Sequence, residues 1–166
     1  MKLPSVNRFG WFRCGYVNGR QWTIYNPPTP NINPTDPRSV QFGYEISDLP
    51  PVTDSSPVCI IPEDGSLTNF ASIPRVFWRI APPVGDGARA RYGLAAIAHD
   101  ELYRSHCVVR KIPNREHPKY TVHVDVDRKF ADAVFLAIMA ADEVSWWRRK
   151  TMYYAVRAFG AGNWSS

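Results

Sequence analysis

The sequence predicts an α+β domain: a small N-terminal β-layer with a hairpin, then about three helices, two of them packed antiparallel around a histidine–aspartate dyad. Three observations predict it. Short alternating apolar and polar runs, punctuated by Asn-Gly and by proline, fill about the first sixty residues. Apolar residues then recur at helical spacing from Ala88 to about Arg104, from Arg128 to about Ala141 and from Ser145 to Phe159. Between the first two helical stretches, Tyr120 to Asp127 alternates strictly, as a strand does. A chain of 166 residues is long enough for one domain with a substantial core, so residues 1–166 are read as a single domain with a β-rich portion over 1–56.

The elements follow in order. Phe12–Val17 and Gln21–Tyr25 flank Asn18-Gly19, a pair suited to a tight turn whose residues need positive φ, and so predict a β-hairpin. Asn26 to Pro37 carries five prolines among Asn, Thr and Asp, which removes backbone donors and forces an extended arm. Val40–Ile46 alternates and predicts another strand, and Val58–Ile61 a short buried one. In the first helix, Leu94, Ala98 and Leu102 form one stripe and Ala95, His99 and Tyr103 the next. In the strand Tyr120–Asp127, Val122, Val124 and Val126 face one way and Thr121, His123, Asp125 and Asp127 the other. Asp127 is placed to cap the second helix, whose Phe130, Val134, Phe135, Ile138 and Met139 form an apolar stripe. Ser145 is the expected cap of the third, and Gly160 its terminator.

Composition narrows the class. Three cysteines, widely spaced and without a Cys-x-x-Cys pair, argue against a disulfide scaffold and a thiolate zinc site and fit a reducing cytoplasm. The opening residues lack an apolar core of signal-peptide length, and no apolar run is long enough to span a bilayer, so neither export by a standard signal nor a membrane span is expected. The net charge of +5 is concentrated at Arg75, Arg79, Arg89, Arg91, Arg104, Arg110, Lys111 and Arg115, with Arg148, Arg149 and Lys150 after a pair of tryptophans. Such a surface suits phosphates of lipid or nucleic acid, an acidic partner, or simply water. No zinc-finger, RNA-binding sheet or helix-turn-helix signature accompanies it, so specific nucleic-acid recognition is not expected. Trp146 and Trp147 suit a lipid headgroup layer or a subunit interface, and interface packing is the expectation here.

The residues that carry chemistry are in His99-Asp100-Glu101-Leu102-Tyr103 and Ala131-Asp132-Ala133-Val134-Phe135. On a helix, positions i and i+4 share a face, so His99 and Tyr103 project together while Asp100 points about a quarter-turn away. A second helix packed on that face brings Asp132 to both. A carboxylate on one imidazole nitrogen fixes the tautomer and raises the basicity of the other, as a general base for water requires. The same pair also serves as a satisfied structural contact in an apolar core. A separate cluster, His123 and Asp125 with His106 or His117, has the residue types for a transition metal, although exposed strand faces carry such residues for solubility too.

His-Asp-x-x-Tyr followed by Ala-Asp-x-x-Phe on the next long helix resembles the core of secretory phospholipases of the A type and of the related domain in parvovirus capsids. The resemblance implies His99 as the base, Asp132 and Tyr103 as the pair that orients it, and Asp100 as a calcium ligand. Carbonyls of the loop Pro82-Pro83-Val84-Gly85-Asp86-Gly87, Gly85 and Gly87 among them, would complete the calcium site. The secretory enzymes carry many disulfides and a cysteine beside the tyrosine, whereas this chain has Leu102 there.

From about Pro57 to Gly160 the chain also resembles an uncharacterised domain family of tailed bacteriophages and prophages. The landmarks are Pro62 to Gly65, Thr68-Asn69-Phe70-Ala71-Ser72-Ile73-Pro74-Arg75, the Pro-Pro-x-Gly loop, Ala95 to Tyr103, Ala131 to Phe135, and Met152 to Gly160. Asn69 stands where that family usually has Asp, which weakens a site that depends on the carboxylate. The resemblance implies a virion-associated tail or tail-end component, assembled in the host cytoplasm with other virion proteins and as a homo-oligomer, with a lipid surface as a further partner. With the dyad it implies a calcium-dependent phospholipase-like ester hydrolase. A purely structural tail adaptor and a cell-wall hydrolase are the alternatives.

Overall fold

The computed structural model describes residues 3, 5–9, 13–18, 21–25, 43–47, 58–62, 64–68, 91–111 and 121–164. The proline-rich arm 26–37, Asn69, the loop 82–87 with Gly85 and Gly87, residues 88–90 and His117 lie outside them.

The expected hairpin is present. β2 (Arg13–Asn18) pairs antiparallel with β3 (Gln21–Tyr25), with an irregularity of register between Tyr16 and Asn18. Asn18 ends β2 and is the register partner of Gln21, so the connection is residues 19 and 20 and not the expected Asn18-Gly19 pair. A two-residue strand β6 (Leu67–Thr68) adds to β3 and makes a three-stranded sheet. The larger sheet is antiparallel throughout, in the order β1-β4-β5-β7-β8. Its strands are β1 (Ser5–Phe9), β4 (Gly43–Ser47), β5 (Val58–Ile60), β7 (Cys107–Lys111) and β8 (Thr121–Asp125). In β4, Tyr44 and Ile46 are buried while Glu45 and Ser47 are partly exposed, the two-residue period of a strand with one face on a core. All three residues of β5 are buried, so both faces of the sheet are covered at its centre.

Three strands add to the expectation. β7 occupies a stretch read as loop, and β1 and β6 lie in stretches given no strand. The β-layer is therefore N-terminal only in part, because β7 and β8 return between the helices to complete the sheet. In β8, His123 and Asp125 are exposed while Val126, just beyond the strand, is buried, as the alternation predicts.

The β7–β8 hairpin sets the helices. α1 (Arg91–Ser105) runs directly into β7, α2 (Arg128–Ala141) leaves directly from β8, and Cys107 is the register partner of Asp125. The C-terminal end of α1 thus lies beside the N-terminal end of α2, and the helices pack with opposed directions. The reversal after α1 is made at His106, which takes a left-handed φ of 54° although it is not glycine. Two bonds hold it: its N–H donates to Leu102 O at 3.0 Å, and its carbonyl accepts from Val126 N–H at 2.9 Å.

Asp127 caps α2 as expected, its carboxylate accepting from Phe130 N–H at 2.7 Å. Every residue from Phe130 to Met139 is buried, so α2 is the central helix, covered on all sides. Small residues Ala95, Ala96 and Ala98 on α1 and Ala131, Ala133 and Ala137 on α2 are buried at or near zero exposure. α3 (Trp146–Phe159) follows, and a single-turn α4 (Ala161–Trp164) ends the described chain.

Ser145 and Gly160 occupy the expected cap positions of α3. Ser145 is exposed and makes no side-chain cap hydrogen bond; its carbonyl accepts from Arg149 N–H at 3.1 Å. Gly160 does end the helix, but at φ −78°, which any residue adopts. Space is what demands glycine there. A Cβ would lie 2.7 Å from the Tyr103 hydroxyl and 2.5 Å from Val156 O.

Candidate hydrolytic site between α1, α2 and α3

The three expected catalytic residues converge. His99, in the interior of α1, and Asp132, in the second turn of α2, place Nε2 and Oδ1 3.0 Å apart. Tyr103, one turn along α1 from His99, donates its hydroxyl to the same Oδ1 at 2.8 Å. The His99 ring is clamped by Tyr103 and Phe135, with centroids at 4.1 and 4.8 Å. The i, i+4 spacing of His99 and Tyr103 and the burial of α2 are sufficient to produce this arrangement.

A fourth member was not anticipated. Arg157, on α3, donates from Nη1 to Asp132 Oδ2 at 2.9 Å, so both carboxylate oxygens are engaged. Arg128 in turn donates to Arg157 O at 3.3 Å, fixing the end of α3 against the start of α2. The signal for Arg157 was indirect: a carboxylate with zero exposure, offered only neutral donors by α1, requires a cation from elsewhere. Gly160 belongs to the same corner, since its missing side chain leaves room for the Tyr103 hydroxyl.

The electrostatics follow from burial and bonding. Burial pushes the Asp132 carboxyl up, but the hydrogen bonds from His99, Arg157 and Tyr103 together outweigh it and hold the group below the ordinary carboxylate value. Burial, then the hydrogen bond to Asp132 and that carboxylate's charge, push the Tyr103 hydroxyl well above its ordinary value, so it remains a donor. An ionised carboxylate only accepts, so the hydrogen between His99 and Asp132 sits on Nε2, and in the neutral ring the lone pair is then on Nδ1. Among the described residues Nδ1 has no hydrogen-bond partner, and the His99 side chain is 10% exposed.

Asp100, expected to hold calcium, is partly buried and accepts from Thr68 Oγ1 at 2.7 Å, which ties β6 to α1. Among the described residues no three His, Cys, Asp or Glu side chains form a metal-holding group. Of the three positions expected to supply calcium ligands, Asp100 alone lies within the described residues. Among the described residues the rival cluster of His123 and Asp125 with His106 does not assemble, and His117 lies outside them. His123 Nδ1 lies 3.3 Å from Cys107 Sγ, whereas His106 turns away to stack on Trp164 at 4.4 Å.

An α+β domain with a fully bonded carboxylate joining three helices, and a histidine held between that carboxylate and a thin exposed edge, is the class that fold and site define. Residues 47–156, more than half of the chain, match the DUF1353 family of proteins of unknown function, and the chain belongs to that family. No curated protein and no solved structure matched it.

Proposed function

We propose that this domain is an ester hydrolase of phospholipase type in which His99 is the general base and Asp132 and Tyr103 orient it. The supporting observation is that Asp132 binds His99 through Nε2, while Nδ1, the atom that would hold a water, has no hydrogen-bond partner among the described residues. Water bound at Nδ1 gives up a proton as its oxygen bonds the ester carbonyl carbon. Asp132 stabilises the imidazolium that forms. The proton then passes to the leaving alkoxide as its bond to carbon breaks, which releases a carboxylic acid and an alcohol and restores neutral His99.

The test is release of fatty acid from mixed bacterial phospholipids, with calcium and with chelator, by wild type and His99→Ala. A positioned base contributes about 10²–10⁴-fold, so His99→Ala loses that much while its circular dichroism stays native. Wild type that releases no fatty acid under either condition ends the proposal. Loss with chelator brings Asp100, Gly85 and Gly87 into the mechanism; equal rates remove calcium from it.

The proposed setting is a virion-associated tail or tail-end component of a tailed bacteriophage, supported by the ordered motifs from Pro57 to Gly160. Mass spectrometry of purified particles tests it: absence of the chain removes the virion setting without touching the chemistry. The complete burial of Asp132 among three donors favours a second reading, a tail adaptor whose cluster is a rigid core. Under that reading His99→Ala particles keep their infectivity.

A further inference from the structure

α3 turns an unusual face to solvent. Trp146 is 66% exposed, Trp147 48% and Tyr154 63%, and helical spacing puts them on one side with Lys150 between. That is the side on which a surface helix ordinarily carries charged residues. α3 also contains no acidic residue, and Arg148, Arg149 and Lys150 are consecutive in its first turns. Arg148 lies over the Trp147 ring at 5.1 Å, and neither Arg149 nor Lys150 has an ion-pair partner among the described residues. Positive charge near a helix N-terminus opposes the helix dipole, so these cations weaken the helix unless an anion meets them.

A groove of about 440 Å³ opens beside this face. Leu3 and Leu136 give it an apolar lining, Trp146 and Tyr153 line it with aromatic rings, and Arg149 and Lys150 are its cations. Apolar surface, amphipathic rings and unpaired cations side by side match the layered chemistry of a phospholipid surface: acyl chain, headgroup boundary and phosphate. An acidic protein surface would satisfy the cations and leave the tryptophans without an apolar layer to enter.

We infer that α3 is a docking face for anionic phospholipid, with Trp146 and Trp147 seated at the headgroup boundary and Arg149 and Lys150 paired with lipid phosphates. The inference deepens the hydrolase reading, and rests on it for its purpose, by naming where the substrate would be met.

The experiment is co-sedimentation of the full chain with vesicles of pure phosphatidylcholine and of phosphatidylcholine mixed with phosphatidylglycerol, over a salt series. Binding is expected only to the anionic vesicles and to weaken with salt. Arg149→Gln and Lys150→Gln each weaken it by about fivefold, and the double change Trp146→Ala with Trp147→Ala abolishes it without lowering the melting temperature. No binding to the anionic vesicles, or binding that these substitutions leave unchanged, overturns the inference. So does a concentration-dependent dimer in light scattering that the tryptophan substitutions dissolve while vesicles are ignored, because a second copy then covers the face. Vesicle binding without fatty-acid release sinks the hydrolase and leaves the docking face standing; release that does not depend on α3 does the reverse.

Discussion

Asp132 is the residue on which the site depends, because His99, Tyr103 and Arg157 all direct a donor at a carboxylate with no access to water. Asp132→Ala strands three donors, one of them a guanidinium, and is expected to cost about 3–5 kcal/mol, the range for removing one partner of a buried ion pair. The pH dependence has a definite sign. The folded-state pKa lies below the model-compound value of 3.8, so the stabilisation is fully present above that value and is lost as pH falls through the lower folded value. Thermal melts of wild type and Asp132→Asn should therefore differ by a constant amount near neutrality and converge in acid below that value. A gap that closes between neutrality and mild acid would place the controlling titration elsewhere. At this scale the sequence is partly legible. His99 and Tyr103 announce themselves by i, i+4 spacing and Asp132 by its isolation in an apolar helix, whereas Arg157 reaches the site only through the crossing of α3 over α2, which no local spacing encodes.

Elements that were legible carried their own signal. Asn18-Gly19 marked the hairpin, strict alternation marked β8, and Asp127 marked the start of α2. β1, β6 and β7 carried none. β6 is two residues long, and β7 places Val108 and Val109 in succession before Arg110 and Lys111, so it is a strand because β5 and β8 flank it rather than because of its own pattern. Gly160 shows how a correct placement can have a different cause: the helix ends there in right-handed backbone, and glycine is required by the close approach of Val156 O and the Tyr103 hydroxyl. Gly160→Ala should accordingly act in part through Tyr103. Its Cβ, 2.7 Å from that oxygen, pushes the ring from Asp132, and overpacking of this kind costs about 1–3 kcal/mol. Combining Gly160→Ala with Tyr103→Phe removes one of the two close atoms and leaves the contact with Val156 O, so the double variant should be less destabilised than the sum of the single ones; simple additivity would mean that the glycine serves only its own helix end.

Across the whole molecule, the helices and the five-stranded sheet share one core that runs from Tyr44 and Ile60 through α1 to Phe135 and Met152, while the three-stranded sheet pairs chiefly within itself. A tie between them is the hydrogen bond from Thr68, at the edge of the small sheet, to Asp100, the neighbour of His99. Thr68 is 3% exposed, so its hydroxyl has little water to replace that bond. Thr68→Val keeps the shape and removes the donor, and a bond to a charged group is worth about 1.5–3 kcal/mol. Because the strands of the small sheet pair chiefly with one another, the loss should appear as local opening more than as a lower global stability. Hydrogen exchange is the measurement: amides of β2, β3 and β6 should exchange faster in Thr68→Val while those of α1 and α2 keep wild-type protection. Uniform acceleration through both sheets and the helices would mean that the protein opens as one cooperative unit, and that the Thr68–Asp100 bond supports the core rather than coupling a separate lobe to the residue beside the proposed base.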